Sequence, residues 1–363
     1  MNTPPKKDFS RRLINWYQVH KRDLPWRQTA DPYAVWLSEI ILQQTRVEQG
    51  HPYFQRFIES FPKIENLAKA PQDQVMRLWQ GLGYYSRARN LHATAKTVVN
   101  KHGGRFPNTY HEILALPGIG PYTAAAISSF SFGLPHAVVD GNVIRVLSRI
   151  FGVTDPVDLP ATKKLIQAIA DEYLDKSDPA TFNQAIMEFG ALHCKPVNPD
   201  CVSCVFNDDC AVFKRGIVAE VPTKAAKTKV TNRHFNYLII LDKGTTLIRR
   251  REEPGIWRDL FEPPMVESKK PLTLANIKKS ELWKSICTDP GSEVTQIQDR
   301  KPHKLSHQTI HARVFVVKCK LSKKVLSDNQ FKVIPQAKLQ QYAVPKLIEQ
   351  VFQEQFPSYG SSV

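Results

Sequence analysis

The chain has 363 residues, of which 42% are hydrophobic and 23% are charged, a balance typical of a globular protein with room for two domains. Its formal net charge of +16 favours a polyanionic partner, because each neutralised phosphate releases condensed counterions. A solvated basic surface without such a partner is the alternative interpretation of charge alone. Residues 1–10 lack the apolar core of a signal peptide, and no apolar run could span a bilayer. We therefore expect an intracellular protein with no membrane partner.

The first part of the chain has helical periodicity. From Phe9 to about Phe213, short apolar-periodic segments alternate with glycine and proline. Asp31-Pro32 has the form of a helix start, a capping residue followed by a first-turn proline, and this helix carries Glu39. Apolar residues recur at helical spacing again over 165–174. The pattern predicts an all-α domain over residues 1–215.

A basic segment separates this domain from a region with period-two alternation. The segment 216–231 contains Lys224, Lys227 and Lys229 but only one acidic residue, Glu220, which is typical of a linker. Beyond it the sequence predicts strands at 235–242, 246–250 and 310–320, and a turn at 242–244. It also predicts a last helix that begins at Pro345. We therefore predict a second, α+β domain over residues 232–363.

Four cysteines form one tight cluster, with the spacing C-x6-C-x2-C-x5-C: Cys194, Cys201, Cys204 and Cys210. Four thiolates in a short loop suit a tetrahedral zinc ion or a [4Fe–4S] cluster. The spacing differs from the paired C-x2-C motifs of a zinc ribbon, which favours iron–sulfur, whereas four unliganded cysteines would be unusual in so short a segment. We expect a structural [4Fe–4S] cluster in the loop 194–210.

A glycine-containing turn lies between two helical patterns at residues 109–126, which read T-Y-H-E-I-L-A-L-P-G-I-G-P-Y-T-A-A-A. The glycines allow a tight turn and close approach to another surface, and Pro121 stands where a helix would begin. The backbone amides of Gly118, Ile119 and Gly120 are then placed to bind a DNA phosphate at a helix N-terminus. Ordinary core packing of a helix pair is the alternative interpretation.

These motifs together resemble a known family. The string L-P-G-I-G-x-Y-T-A, the cysteine loop and the segment V-V-D-G-N at 138–142 are similar to the endonuclease III superfamily of helix–hairpin–helix DNA glycosylases. Within that superfamily, S-E-I-I-L-Q-Q-T at 38–45 and Q-G-L-G-Y-Y-S-R-A-R-N at 80–90 resemble the MutY-type adenine DNA glycosylases. The resemblance implies a multi-domain protein, with an all-α helix–hairpin–helix glycosylase domain carrying the [4Fe–4S] loop and an α+β Nudix-like C-terminal domain.

Two carboxyl groups fit the hydrolysis of an N-glycosidic bond, which requires a protonated acid and a nearby negative charge. Glu39 lies at helical spacing from apolar residues, which would raise its pKa. Asp140 precedes a predicted helix over 143–150, where it would cap the helix and remain ionised. The two environments should therefore shift the two pKa values in opposite directions. The resemblance implies that Glu39 protonates adenine, that Asp140 stabilises the sugar cation, and that Asn142 holds the sugar side of the site.

Tyr122 stands where bifunctional members of the superfamily have a lysine that forms an imine with the sugar. A tyrosine hydroxyl cannot form an imine, so the resemblance implies base hydrolysis without strand cleavage through this residue. Tyr122 then serves as a hydrogen-bonding or shielding group beside the two carboxyl groups.

Further residues match the family's DNA-reading positions. The resemblance implies that Trp26, Arg27 and Gln184 contact an adenine flipped out of the duplex. It also implies that four further residues insert into the duplex and contact the base opposite adenine: Gln44, Thr45, Leu82 and Tyr84. Packing in the core is the alternative interpretation of Tyr84.

The C-terminal domain resembles the Nudix fold over residues 247–264, but the acidic metal-binding helix of Nudix hydrolases is missing. Without those carboxylates Mg²⁺ has no site, so this domain should recognise and not hydrolyse. The family's Phe-Ser-His loop reads 8-oxoguanine, and this chain has Leu305, Ser306 and His307. The replacement of phenylalanine by Leu305 removes an aromatic ring, while Ser306 and His307 keep the polar contacts.

The sequence therefore predicts a monomeric, monofunctional adenine DNA glycosylase, whose partner is double-stranded DNA containing adenine opposite 8-oxoguanine or guanine. If the source is a bacterium, its place is the cytoplasm, in association with the nucleoid. One alternative is a bifunctional glycosylase/lyase for oxidised pyrimidines, which Tyr122 argues against. A non-catalytic DNA-binding module is the other, and Glu39 together with Asp140 argues against it.

Overall fold

The structure is a computed structural model, and it describes residues 6–225, 230–321, 325, 330–357 and 359. The chain divides into two compact units, Met1–Ala70 with Arg89–Lys227, and Pro71–Ala88 with Thr228–Val363. The sequence led us to expect one linker, at 216–231, whereas the early segment Pro71–Ala88 groups with the C-terminal unit. Lys227 and Lys229 of that linker lie outside the described residues.

The first unit is helical in its described part. Its elements are α1 (Lys6–His20), η1 (Pro25–Arg27), α2 (Pro32–Leu42), α3 (Val47–Ser60), α4 (Ile64–Lys69), most of α6 (Ser86–His102), α7 (Tyr110–Leu114), α8 (Pro121–Phe132), α9 (Gly141–Phe151), α10 (Pro160–Tyr173), α11 (Pro179–Leu192) and α12 (Ala211–Lys214). The expected start of α2 is confirmed, because the Asp31 side chain accepts a hydrogen bond from the Tyr33 amide (3.1 Å) and Pro32 occupies the first turn.

Aromatic packing connects the first helix of this unit with the cysteine loop. Phe9 on α1 stacks on Phe206 with ring centroids 4.7 Å apart. Phe189 on α11 meets the same Phe206 ring edge-on at 5.5 Å. All three side chains are buried, so the segment that carries the cysteines is held by the hydrophobic core.

The second unit combines two sheets with short helices. Its described elements are α5 (Gln72–Trp79), β1 (Thr231–Leu241), β2 (Thr245–Arg250), β3 (Phe261–Glu262), β4 (Met265–Ser268), α13 (Leu274–Lys278), α14 (Glu281–Ile286), β5 (Glu293–Asp299), β6 (His303–Lys304), β7 (Gln308–Lys318), β8 (Lys332–Pro335), η2 (Gln336–Gln341) and α15 (Lys346–Gln355). One sheet has the order β4-β1-β7-β5 with β6 paired to β7, and the other has the order β3-β2-β8. The pair β1 and β7 is parallel, with Thr231 opposite Gln308, and the other described pairs are antiparallel.

No helix in the described part of the chain combines the length and the apolar character that crossing a membrane would need.

Candidate active site and DNA interface

Three helices of the first unit position the predicted catalytic side chains. Glu39 lies near the end of α2, Tyr122 in the first turn of α8, and Asp140 immediately before α9. The Tyr122 hydroxyl donates a hydrogen bond to Glu39 Oε2 (2.7 Å), and it also contacts Met187 Sδ at 3.7 Å. The structure thus brings together residues that are about 80 positions apart along the chain.

Burial sets the protonation of Glu39. Its side chain is buried, and this raises its pKa from 4.5 to about 7. The hydrogen bond from Tyr122 opposes the rise, the charge of Asp140 adds to it, and the more distant charge of Arg27 opposes it. At neutral pH a large part of Glu39 therefore carries a proton, as the sequence predicted from the apolar surroundings.

Asp140 caps α9 as expected. Its Oδ1 accepts hydrogen bonds from the amides of Asn142 (2.9 Å) and Val143 (2.8 Å), and its Oδ2 accepts one from Asn142 Nδ2 (2.8 Å). The expectation that the two carboxyl groups shift in opposite directions is wrong. Burial raises the pKa of Asp140 as well, although these hydrogen bonds and the charge of Arg145 oppose the rise. The two carboxyl groups differ in their donors: the cap gives Asp140 two amides, which favour its ionised form.

Glu39, Tyr122 and Asp140 line one pocket of about 440 Å³. Asn142 lines it too, and so do the three residues predicted to contact adenine, Trp26, Arg27 and Gln184. Trp26 is buried and packs edge-on against Phe54 with ring centroids 5.2 Å apart. Arg27 Nε donates to Gln184 Oε1 (2.9 Å), which fixes the orientation of the Gln184 amide at the pocket wall.

Two charged residues of this pocket were missed by the sequence reasoning. Glu188 is buried and accepts hydrogen bonds from Arg22 Nη2 (2.7 Å) and Arg27 Nη2 (2.8 Å). Burial would raise the Glu188 pKa, but the two guanidinium groups outweigh it and leave the pKa at about 2. The signal in the sequence was the spacing of Gln184 and Glu188, which are one helical turn apart on α11.

The predicted phosphate site lies in the hairpin between α7 and α8. Gly118 has φ +71°, and a Cβ there would come within 2.5 Å of Asn90. Gly120 caps α8, with Pro121 in the first turn as expected. The Ile119 amide donates to the Leu116 carbonyl (3.2 Å) inside the turn, so a phosphate would have to share or replace this contact. Phosphate binding by the amides of Gly118, Ile119 and Gly120 stays a prediction.

In the first unit, the residues predicted to contact the opposite base lie directly after α2. Gln44 adopts φ +53°, an unfavourable conformation for a residue other than glycine. Thr45 lines the pocket that contains Glu39. Strain concentrated beside a pocket is typical of functional sites.

In the second unit, the structure brings two predicted contact residues together. Tyr84 is 47% exposed, has φ +45°, and its hydroxyl forms a short hydrogen bond with Ser306 Oγ. Ser306 and His307 are both exposed at the turn between β6 and β7. Leu82, in contrast, is buried, so its side chain is not available at the surface of this unit.

The four clustered cysteines line one small enclosed cavity, together with Arg149 and His193. Arg149 Nη1 lies 3.5 Å from Cys194 Sγ, and Arg145 Nε donates to the Cys194 carbonyl (2.8 Å). Four thiol side chains around one cavity, with cations beside them, fit a group held by several thiolates. Among the described residues, no three His, Cys, Asp or Glu side chains converge closely enough to coordinate a single metal ion.

The second unit contains a buried ion-pair cluster. Glu262 is fully buried and accepts hydrogen bonds from Arg249 Nη2 (3.0 Å), from Arg251 Nη1 (3.0 Å) and from the Tyr237 hydroxyl (3.3 Å). A carboxylate held by these three donors stabilises the fold of the unit.

Comparison with known proteins defines the class of both parts of the chain. A family model for "HhH-GPD superfamily base excision DNA repair protein" matches residues 37–176, and one for "NUDIX domain" matches residues 236–354. Among solved structures, a thermostable thymine-DNA glycosylase is similar with a TM-score of 0.54 and 31% identity, covering 58% of this chain and 97% of that one. An endonuclease III trapped on DNA shares the fold at a TM-score of 0.51 and 20% identity, covering 59% of this chain and 100% of that one. The fold prediction of a helical glycosylase domain and a Nudix-like domain is confirmed.

Relatives narrow the class to one family. The adenine DNA glycosylase of Buchnera aphidicola subsp. Baizongia pistaciae is 34% identical over 324 residues, covering 88% of this chain and 89% of that protein. The adenine DNA glycosylase of Mus musculus is 42% identical over 217 residues, covering 57% of this chain and 42% of that protein. The chain belongs to the adenine DNA glycosylase family.

Proposed function

We propose that this protein hydrolyses the N-glycosidic bond of adenine mispaired with 8-oxoguanine, or with guanine, in duplex DNA, and so initiates base excision repair. The observation that supports it most directly is the hydrogen bond from Tyr122 to the buried Glu39, in a pocket that Asp140 also lines. A protonated acid and a second carboxyl group facing one pocket are what departure of a base requires.

Glu39 is the group that gives a proton to the departing adenine. Its pKa of about 7 means that the acid form is abundant near neutral pH, and proton transfer is then efficient. Tyr122 holds one carboxylate oxygen of Glu39 and so fixes the direction of the carboxyl group. The remaining Glu39 oxygen, Oε1, is left to face the base.

Asp140 is the group that stabilises the sugar cation formed when the base leaves. Its two backbone hydrogen bonds hold the carboxylate at the N-terminus of α9, so that little reorganisation is needed during reaction. Asn142 donates to the same carboxylate, and its own Oδ1 accepts from Arg145 Nη2 (2.8 Å), which orients it toward the sugar side.

Adenine is taken into the pocket by flipping out of the helix. Trp26 and Gln184 supply an apolar face and an amide edge, and Arg27 links Gln184 to the buried Glu188. This rigid chain of contacts favours a base whose hydrogen-bonding edge matches the Gln184 amide over one whose edge does not. A mismatched base would leave buried polar groups without hydrogen bonds, which is costly.

The residues that we assign to recognition of the base opposite adenine are Gln44, Thr45, Leu82, Tyr84, Ser306 and His307. The exposed Tyr84 ring and the polar Ser306 and His307 are the contacts we assign to 8-oxoguanine, and Leu82 acts through its backbone or as support, because its side chain is buried. The amides of Gly118, Ile119 and Gly120 hold a phosphate of the duplex.

Cys194, Cys201, Cys204 and Cys210 hold a [4Fe–4S] cluster, and the protein acts as a monomer. When bound, the cluster supplies a structural cross-link between α11 and the segment before α12. Arg149 Nη1 lies 3.5 Å from Cys194 Sγ and so places a positive charge beside a group that several thiolates would hold.

The decisive assay measures base release from duplexes that carry adenine opposite 8-oxoguanine, guanine or thymine. We expect adenine release with the first two and little with the third. Borohydride should trap no covalent complex, because Tyr122 cannot form an imine with the sugar. Efficient trapping would favour the bifunctional alternative, and release of no base would refute the proposal.

A further inference from the structure

The loop that carries Tyr84 has an unusual backbone. Gly81 and Gly83 adopt φ of +98° and +71°, and Tyr84, which has a Cβ, adopts φ +45°. A bulky side chain in the left-handed region is unfavourable unless its surroundings impose that conformation. The loop therefore needs specific contacts to keep Tyr84 where it is.

Arg87, in the first turn of α6, supplies several of those contacts. Its Nη2 donates to the carbonyl oxygens of Leu82 and Gly83, at 3.2 Å each. Its guanidinium carbon lies 5.0 Å from the centre of the Trp79 ring and 5.6 Å from that of the Tyr84 ring. One side chain thus fixes two backbone groups next to Tyr84 and supports the aromatic ring itself.

The neighbours of Arg87 reinforce the same geometry. Trp79 Nε1 donates to the Gly83 carbonyl (3.0 Å), so that this oxygen receives two donors. The far end of the Tyr84 side chain is bonded to Ser306. Arg87 thus holds the backbone carbonyls just before Tyr84, and the turn between β6 and β7 holds the Tyr84 hydroxyl.

Arg87 is buried, and burial lowers its pKa to about 10, so it remains charged at neutral pH. A buried cation is a poor choice for stability, since an apolar side chain of similar size usually packs at less cost. What the guanidinium offers over an apolar residue is a planar fork of donors and a face for aromatic rings.

We propose that Arg87 is a positioning residue for recognition of the base opposite adenine: it sets the backbone and the ring of Tyr84 without touching DNA. This inference rests on the proposed function, in which Tyr84 contacts that base. It predicts that Arg87 acts only through Tyr84, and that its loss affects discrimination between opposite bases more than the chemistry of adenine release.

The test is a double-mutant cycle of Arg87→Met and Tyr84→Ala in the full chain. Single-turnover rates are measured for adenine opposite 8-oxoguanine and opposite guanine. In parallel, the fluorescence of 2-aminopurine placed beside 8-oxoguanine reports unstacking when protein binds. We expect each single variant to reduce the preference for 8-oxoguanine about tenfold, the scale of one lost stacking contact. The double variant should be no worse than Tyr84→Ala, because the two residues act in series.

Two further variants separate positioning from general stability. Arg313→Met is the matched control: Arg313 lies in the same unit, donates to the Leu272 carbonyl (2.9 Å) and pairs with Asp299, so its loss should leave the preference unchanged. Arg87→Lys keeps the charge but not the fork, and should give an intermediate preference. If Arg87→Met does not fold, the same cycle is run with Arg87→Lys.

The outcomes are distinct. Additive losses in the cycle, or a wild-type preference and fluorescence in both Arg87 variants, would overturn the positioning role. If wild-type protein releases adenine but Tyr84→Ala is silent in both measurements, the positioning role is also overturned. Failure of wild-type protein to release any base would refute the proposed function instead, and the fluorescence cycle would still decide the role of Arg87.

Discussion

At the scale of single residues, the two carboxyl groups of the pocket differ in what is bonded to them. Glu39 is buried on α2 and accepts from a phenol, whereas Asp140 accepts from two amides at the start of α9. Burial favours the acid form of a carboxyl group, and each hydrogen bond donated to it favours the ionised form, so the larger number of donors at Asp140 favours ionisation there. Their contacts therefore assign the proton to Glu39.

Glu39→Gln keeps the size and helical position of the side chain but removes the proton. We expect the single-turnover rate of adenine release to fall by ~10²–10⁴, the range typical of general acid catalysis, with duplex affinity retained. Glu59→Gln, an exposed change on α3, is the control and should leave the rate unchanged. A Glu39→Gln protein that binds DNA and keeps its rate would assign the acid to another residue.

The pH profile should report both carboxyl groups. Because the acid form of Glu39 is required and its pKa is about 7, the rate should fall as pH rises through 7, tenfold per unit well above it. Because Asp140 must be ionised, the rate should fall at low pH, with a midpoint above that of an ordinary aspartate. Single-turnover rates from about pH 5 to about pH 9 test this. The alkaline limb should vanish in Glu39→Gln, and its persistence there would mean that another group titrates.

Much of this residue-level chemistry could be predicted from sequence, and some could not. Helical spacing placed Glu39 among apolar side chains, and the position of Asp140 before a helix predicted its cap. The pKa direction of Asp140 was wrong, because the depth of burial depends on neighbours far along the chain. The ion pairs of Glu188 with Arg22 and Arg27 were missed for the same reason: they join residues more than 160 positions apart.

At the scale of elements, the hairpin between α7 and α8 combines a strained turn with a helix start. Gly118 lies in this turn and Gly133 follows the end of α8, and both have positive φ, +71° and +63°. A Cβ would clash with Asn90 at Gly118 but would meet nothing within 4 Å at Gly133. Replacing either glycine by alanine should therefore strain the backbone to a similar extent, but only at Gly118 should the added Cβ clash with a neighbour.

We expect Gly118→Ala to lose both stability and DNA affinity, while Gly133→Ala loses only about 1 kcal/mol of stability from the left-handed conformation. In Gly118→Ala the hairpin must move away from Asn90, which displaces the amides assigned to phosphate. Thermal unfolding and binding to undamaged duplex measure the two effects. Equal affinities of the two variants would show that this hairpin does not hold the phosphate.

The turn between β6 and β7 should govern the opposite base. Changing Ser306 and His307 together to alanine should weaken the preference for 8-oxoguanine over guanine, while adenine release from adenine–guanine pairs remains largely intact. The reason is that both side chains are exposed in the unit whose buried carboxylate, Glu262, is committed to ion pairs. Rates on the two duplexes, each the control for the other, test this. An equal loss on both would mean that the turn does not read the base.

Element positions were largely predictable, whereas their pairing was not. The predicted strands at 235–242, 246–250 and 310–320 lie close to β1, β2 and β7. The parallel pairing of β1 with β7 follows from packing over a long stretch of chain, which periodicity does not contain. The grouping of Pro71–Ala88 with the second unit likewise depends on contacts such as Gln80 Nε2 with Glu349 Oε1 (2.9 Å).

At the scale of the whole molecule, the net charge and the cysteine cavity each predict a property that can be measured. The net charge of +16 predicts that duplex affinity falls steeply with salt, because phosphate contacts release counterions. The cysteine cavity predicts a coloured protein, since thiolate-bound iron–sulfur groups absorb visible light.

Elemental analysis of the purified chain should find about four iron atoms and four inorganic sulfides per molecule. Cys201→Ser should lower both and destabilise the first unit, because one thiolate of the set is lost. Cys287→Ser is the control, since this buried cysteine belongs to the second unit and lies 3.9 Å from Cys319. One zinc ion and no iron in the wild-type protein would replace the iron–sulfur assignment with a structural zinc site.

The division of the second unit into two stretches of chain has a consequence for biosynthesis. Pro71–Ala88 leaves the ribosome long before Thr228, so it must wait through synthesis of Arg89–Lys227, the longer stretch of the first unit, before its partners exist. During that interval Asp73, Gln80 and Tyr84 lack the residues that they contact in the folded unit, which are Arg250, Glu349 and Ser306. The element that carries Tyr84 is thus among the first parts to be made and the last to be completed, and a chain that ends early would leave it without support.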